Sequence, residues 1–493
     1  MSYTKKAVKG FSIVFIVNVI AAFLGYLIRI ALARNLTVAE YGLFFAVFTL
    51  INFVALFHNL GLGQALVKFI PEFLVKKRYA DIKNSITIAL AGRCITIIIL
   101  AVLLATFSGF LAEKYFKTPL AVPVILLFIF ILFFENLRSL LRYIYQSFQK
   151  MIGFAIIYLV ENIAILVLLL VFFIFIKKNI FSAVYAHLAT YILVTLLFTI
   201  PIFKFFNFSK YRLSIKKDLI KKILKFGVLV VLIGVGAKII IYTDTLILTY
   251  FRNLEEVGIY NAVVPTVMMI LFFTTSVSSV ILPLISELWT KKRKDYLASG
   301  LKVLEKYTFA VVFPVILAVF AFSRLVLSLM FGAEYAAGDV TMQVLLIGIL
   351  FMAMFSIYST VFSGIGRPGI STKILLQGAL INFVLNLLII PKLGMLGAAI
   401  TSLITYFYVF LISVFKLRKI IKVTLPWLNW GKTTLAGFFM LFLILLLKKI
   451  IFMNVYLEAV LVAVIAGIVY LCLIFTLKVA DLKELKEFLR HVF

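Results

Sequence analysis

Residues 34–46 read RNLTVAEYGLFFA, and residues 252–262 read RNLEEVGIYNA. Both open on Arg-Asn-Leu, place a glycine two residues after a glutamate (Gly42, Gly258) and end on an alanine (Ala46, Ala262). The second copy is two residues shorter. Each stretch follows a long apolar run and leads into another, so each reads as the turn between two membrane-crossing helices. A second echo pairs Ala183 and Leu188-Ala189-Thr190-Tyr191 with Ala398 and Leu403-Ile404-Thr405-Tyr406. A third pairs Pro71, Glu72 and Lys76-Lys77-Arg78 with Pro283, Glu287 and Lys291-Lys292-Arg293.

Working outward from these turns, apolar runs of about 20 residues, enough to cross a ~30 Å hydrocarbon core, recur from end to end. Hydrophobic residues make up 65% of the 493, with a mean hydropathy of +1.19. Helices are expected near 11–33, 41–66, 85–111, 119–137, 151–176, 180–203, 226–250, 258–285, 307–330, 340–366, 374–390, 394–415, 433–447 and 454–477. Six helices separate the repeat copies, so both halves enter the bilayer with the same polarity. The fold class is therefore an all-α polytopic membrane protein of about fourteen transmembrane helices. Two six-helix lobes stand in parallel pseudo-repeat, 1–208 and 209–420. Two extra C-terminal helices and a tail fill 421–493.

The formal charge of +30 first suggests nucleic acid. Its distribution excludes that reading. Of the 49 Lys and Arg, 36 lie before the first helix or after every second helix, 9 lie in the alternate loops, and 4 (Arg29, Arg93, Lys238, Arg324) lie within helices. This is the positive-inside asymmetry, and it puts both termini in the cytoplasm of a multi-pass cell-membrane protein. Anionic lipid headgroups are a secondary partner of the basic loops. Cys94 and Cys472 fall in apolar runs and read as core residues rather than a disulfide or metal framework. The first apolar run has no cleavage site, so no signal peptide is expected. The absence of a Gly-x4-Gly-Lys-Ser/Thr loop argues against nucleotide-driven transport.

On these turns, and on Gly364-Ile365-Gly366-Arg367-Pro368, Asn382, Asn386, Ile390-Pro391-Lys392-Leu393-Gly394 and Gly397-Ala398-Ala399, the chain resembles the Wzx-type polysaccharide flippases. These form a branch of the multidrug/oligosaccharidyl-lipid/polysaccharide exporter superfamily, and the resemblance spans essentially the whole chain. It implies export of a polyprenyl-linked oligosaccharide between leaflets through a cleft between lobes.

Charge at bilayer depth costs about 2.5–3.5 kcal/mol on insertion scales, so such groups face protein or water. Candidates are Arg29 in helix 1, Arg93 in helix 3 and Lys238 in helix 7. Glu135, Arg138 and Arg142 share one face of helix 4. A lipid-linked sugar carries a phosphate or pyrophosphate, which Arg matches with forked donors and Lys with a point charge. Arg29, Arg93, Arg138, Arg142 and Lys238 are read as a cationic substrate cavity, with Arg138 and Arg142 at its cytoplasmic mouth. The competing reading is snorkelling or structural pairing, for example Arg138 with Glu135 or Glu161. Asn52, His58, Asn59 and Gln64 could hydrogen-bond sugar hydroxyls or join helices.

A second constellation lies in the other half. Asp244, the amides of Asn382 and Asn386 four residues apart, the Ala398 carbonyl and the Ser402 hydroxyl offer the five or so oxygens that a hard cation such as Na⁺ needs. Thr401 or Thr405 could replace Ser402. The lipid II flippases of the same superfamily carry a sodium site with this helix distribution. Here Asn386 stands where they have an acid, so one charge is missing. Interhelical hydrogen bonding is the alternative.

The expected mechanism is secondary active transport by rocking of two lobes. Na⁺ is a candidate coupling ion, and no other cofactor is expected. Pro265, Pro314 and the glycines near Gly234 to Gly236 are candidate bending points. The partners implied are the lipid-linked oligosaccharide, membrane lipids and glycan-assembly enzymes, with the chain a monomer. One rival is a cation-coupled drug or metabolite extruder of the same fold. The other is a membrane glycan polymerase or ligase, which the short and nearly uncharged outer loops disfavour.

Overall fold

The computed structural model describes residues 3–56, 59–214, 216–421, 423–451 and 454–480, with side chains 3–15, 229, 232–235 and 237 outside the described set. Every regular element among the described residues is helical.

The first helix, α1, spans Tyr3–Asn35. It is followed by α2 (Val38–Val54), α3 (Leu62–Val75), α4 (Tyr79–Phe110), α5 (Ala121–Ser147), α6 (Met151–Phe175), α7 (Ile180–Thr199), α8 (Ile202–Phe205) and α9 (Lys217–Phe251). Then come α10 (Leu254–Met268), α11 (Leu271–Thr290), α12 (Lys294–Ala321), α13 (Ser323–Met330), α14 (Asp339–Gly364), α15 (Gly369–Arg418), α16 (Trp427–Ile450) and α17 (Val455–Thr476).

The repeated turns are helix starts built by capping. Thr37 accepts from the Glu40 backbone N–H, and the Glu40 carboxylate accepts from Thr37 N–H, both at 3.2 Å. This is a capping box that satisfies two donors at the start of α2. In the second copy the loop is two residues shorter, and Asn253 takes over. Its Oδ1 accepts from Glu256 N–H at 2.9 Å, while Glu256 pairs with Arg252.

Eleven helical stretches of the described residues are long and apolar enough to cross a membrane, against the fourteen expected. Three differences account for this. The second expected helix is two pieces, α2 and α3, parted by a turn with left-handed Leu60 and Gly61. The seventh, α9, contains side chains outside the described set. The eleventh and twelfth run together as α15, parted only by Gly394 (φ 57, ψ −135). The ninth starts earlier than the expected residue 307, because α12 reaches back to Lys294. Pro265 is followed by a break between α10 and α11, whereas α12 runs on past Pro314.

The chain falls into two compact units, Met1–Gly258 and Ile259–Phe493. In the first, α5 packs against α3, α4 and α7, α1 lies along α6, and α9 packs on α2 and α3. Leu66, Phe69, Ile70, Phe73, Ile144 and Ile223 are central to its core. In the second, α14 packs against α15, α11 and α12, and α16 and α17 dock on α12. The Tyr470 hydroxyl seals that docking by donating to the Ala310 carbonyl at 2.6 Å.

Candidate functional site

Two buried polar clusters emerge, one in each unit. In the first unit Arg93 of α4 is 1% exposed. Its Nε donates to Asn59 Oδ1 at 3.0 Å and its Nη1 to the Asn136 carbonyl at 3.1 Å. Its guanidinium lies 5.6 Å from the Tyr143 ring centroid, and Gln64 Nε2 donates to the Tyr143 hydroxyl at 3.1 Å. Arg93 Nη2 has no hydrogen-bond partner among the described residues. Arg93, Asn59 and Gln64 are thus brought together where α4 and α5 meet the turn before α3. His58 lies outside the described residues.

Arg138 of α5 is clamped by two carboxylates, Glu135 at 3.0 Å on its own helix and Glu161 of α6 at 2.6 Å. Tyr191 of α7 presents its ring 5.4 Å away. Arg138 is therefore paired with both carboxylates. Removing one partner of such a buried pair leaves an uncompensated charge, which costs about 3–5 kcal/mol. Arg142, one turn on, lies over Phe154 (4.7 Å) and Tyr158 (5.0 Å), with no carboxylate within 4 Å among the described residues. Its Nε has no hydrogen-bond partner there either.

The other two expected cations sit on α1 and α9. Arg29 of α1 is half-buried, stacks 4.3 Å over the Phe45 ring and faces the Tyr41 hydroxyl. Lys238 of α9 is exposed.

In the second unit Asn382 and Asn386 have no exposed surface. Asn386 Nδ2 donates to Asn382 Oδ1 at 3.0 Å. The Thr401 hydroxyl, on the arm beyond Gly394, hydrogen-bonds Asn386 Oδ1 and the Ala398 carbonyl. The positive φ at Gly394 folds the chain back so that Gly397 lies against the Ile389 carbonyl, where an added Cβ would sit 3.0 Å from its oxygen. Asn382, Asn386 and Ala398 are thereby brought together, and Thr401 supplies the hydroxyl of this cluster. Ser402, at 1% exposure, is buried beside it in sequence.

Four neutral oxygens so gathered fit the uncharged part of a ligand set for a hard monovalent cation. Asp244, the proposed carboxylate, is buried in the first unit. No group of three or more His, Cys, Asp or Glu able to hold a metal ion occurs among the described residues.

One buried acid was not expected. Glu305 lies four residues after Leu301 on the buried stripe of α12, and has no exposed surface. The spacing Leu297, Leu301, Leu304, Thr308 continues a helical face, and following it back from residue 307 would have found Glu305.

The profile of the polysaccharide biosynthesis protein family matches residues 7–289, more than half of the chain. The chain belongs to that family. A MatE profile also matches residues 238–388. Among relatives of family members, an uncharacterized membrane protein of Methanocaldococcus jannaschii is 30% identical over 100% of this chain and 99% of its own. A capsular polysaccharide biosynthesis protein of Staphylococcus aureus is 25% identical over 81% and 98%. A probable low-salt glycan biosynthesis flippase of Haloferax volcanii is 21% identical over 80% and 79%.

The fold is that of this family's transporter neighbours. The lipid II flippase MurJ in an inward closed conformation matches with a TM-score of 0.76 at 18% identity, over 93% of this chain and 97% of its own. An inward-facing multidrug resistance MATE family transporter matches at 0.67 and 15% identity, over 82% and 94%. The chain is thus a multi-pass, all-helical membrane protein of a transporter fold.

Proposed function

We propose that this protein flips a polyprenyl-phosphate- or pyrophosphate-linked oligosaccharide across the cytoplasmic membrane, without catalysing a covalent step. Arg93 carries the reading. It is an arginine buried at depth in α4, oriented by Asn59 and Asn136, with one donor nitrogen unpartnered among the described residues. A forked cation held in that way favours an anionic oxygen ligand over a neutral one. Arg29, Arg142 and Lys238 are proposed to add positive potential along the path, while Arg138 holds α5 to α6. Three relatives or neighbours named for polysaccharide, glycan or lipid II handling support the same substrate class.

Orientation with both termini in the cytoplasm follows from the loop charges. Transport is proposed to alternate between leaflets by movement of the six-helix sets 1–208 and 209–420. Residues 421–493 serve as accessory helices. Na⁺ is proposed as coupling ion at Asn382, Asn386, Ala398 and Thr401 or Ser402, with Asp244 supplying the charge. The chain is proposed to work as a monomer beside glycan-assembly enzymes.

The test uses cells lacking the gene, with the lipid-linked glycan probed by a hydrolase added outside. Restoring the gene should make the glycan accessible, and an Arg93→Ala copy expressed at the same level should not. Equal accessibility with or without the gene would remove the proposal.

A further inference from the structure

The second unit contains an acid that substrate flipping, as proposed above, does not use. Glu305 of α12 has zero exposed surface, and neither carboxyl oxygen accepts a hydrogen bond of ordinary geometry from the described residues. No lysine or arginine among them comes within ion-pair distance. The group that faces the carboxyl is the Tyr358 hydroxyl of α14, itself buried and without a bonded partner.

Arg418, in the last turn of α15, is exposed. Trp430 of α16 gives its indole N–H to the Glu305 backbone carbonyl at 3.5 Å, not to the carboxyl. On its own helix Lys302 is exposed, and Lys306 lies 4.9 Å over the neighbouring Tyr307 ring. From α11 the same core receives Ile281 and Ile285, both apolar.

An ionised carboxylate taken out of water with no counter-ion costs several kcal/mol, and such a group neutralises itself instead. A neutral carboxyl has the opposite property: it carries one O–H donor and one carbonyl acceptor, which match a phenol hydroxyl that can give or take. We infer that Glu305 is a proton-binding site, occupied in this packed arrangement with the Tyr358 hydroxyl facing it, that releases its proton to water only when α12 and α14 part. The release is a simple dissociation: the O–H bond breaks, the electron pair stays on the carboxylate, and water takes the proton. The inference stands on the packing of the second unit alone and is independent of the substrate.

Infrared spectroscopy of the full-length protein in lipid nanodiscs tests it. At about pH 7 a protonated-carboxyl stretch should be present in the wild type. It should be lost in Glu305→Gln and retained but shifted in Tyr358→Phe, which changes only the partner. Glu287→Gln, which removes an exposed acid paired with Lys291, should leave the band intact. A band unchanged in both Glu305→Gln and Tyr358→Phe would overturn the proposal. Melting offers a second reading should Glu305→Gln express poorly. Raising the pH from about 6 to about 9 should lower the melting midpoint of the wild type and of Tyr358→Phe, because ionising a buried acid penalises the folded state. Glu305→Ala, which has no acid to ionise, should lack that fall. An equal fall in Glu305→Ala would equally overturn it.

Discussion

Gly42 and Gly258 meet backbone to backbone. A Cβ added at Gly42 would stand 1.8 Å from the Leu254 carbonyl oxygen, and one added at Gly258 would stand 2.4 Å from that of Val38. The two copies of the repeated turn therefore pack on one another, each glycine against the first turn of the other copy's helix. The resemblance of residues 34–46 to 252–262 has a physical cause: two equivalent helix starts share one contact, and neither tolerates a side chain. Gly42→Ala and Gly258→Ala should each destabilise by about 1–3 kcal/mol through overpacking against backbone. Gly431→Ala, in α16 with nothing within 4 Å, should instead be neutral or slightly stabilising. Melting midpoints of the purified protein in detergent check the contrast.

Arg138 and Glu161 tie α5 to α6 in a buried pair. Glu161→Gln or Arg138→Met alone should cost about 3–5 kcal/mol, whereas Arg138→Met combined with apolar replacement of both Glu135 and Glu161 should recover much of it. Denaturation curves of the single and combined variants measure the coupling. Recovery of both stability and export in the combined variant would assign Arg138 to structure.

Arg93 should behave in the opposite way. Arg93→Lys keeps the charge and loses the fork that spans Asn59 and Asn136, so export should fall severalfold at unchanged protein level. Asn59→Ala removes the acceptor for Nε and should reproduce part of that loss. Glycan accessibility at the cell surface, normalised to protein amount, is the readout. Arg29→Ala and Lys238→Ala should abolish that accessibility if these cations belong to the substrate path.

For the coupling ion, Asn386→Asp restores a carboxylate to a cluster of neutral oxygens and should strengthen Na⁺ dependence of export. Thr401→Val removes the hydroxyl that joins Asn386 to the Ala398 carbonyl and should weaken it. Asp244→Asn should remove Na⁺ dependence altogether. Export measured across a Na⁺ series at fixed pH distinguishes these outcomes.

Much of the architecture was legible because membrane helices announce themselves by length and the two turns by their polar residues. The pairing of Arg138 was also within reach, since Glu135 stands three residues before it and Glu161 is an acid in an apolar helix. What periodicity could not reach is contact between distant segments. The capping role of Thr37 and Asn253 depends on where each helix starts, and the two-residue difference between the copies moves that start. Thr401 reaches Asn386 across the bend at Gly394, a backbone property that no spacing rule supplies. Glu305 was hidden by a helix start placed at residue 307, thirteen residues late, which left a core acid in an apparent surface loop.

The most direct measurement is leaflet exchange in liposomes containing only this protein and a fluorescent pyrophosphate-linked oligosaccharyl lipid, with a dithionite-type quencher outside. The account predicts exchange that depends on the protein, falls sharply in Arg93→Ala, and is much slower for a neutral glycolipid with the same sugar. Equal exchange of the charged and neutral lipids, unchanged in Arg93→Ala, would contradict it.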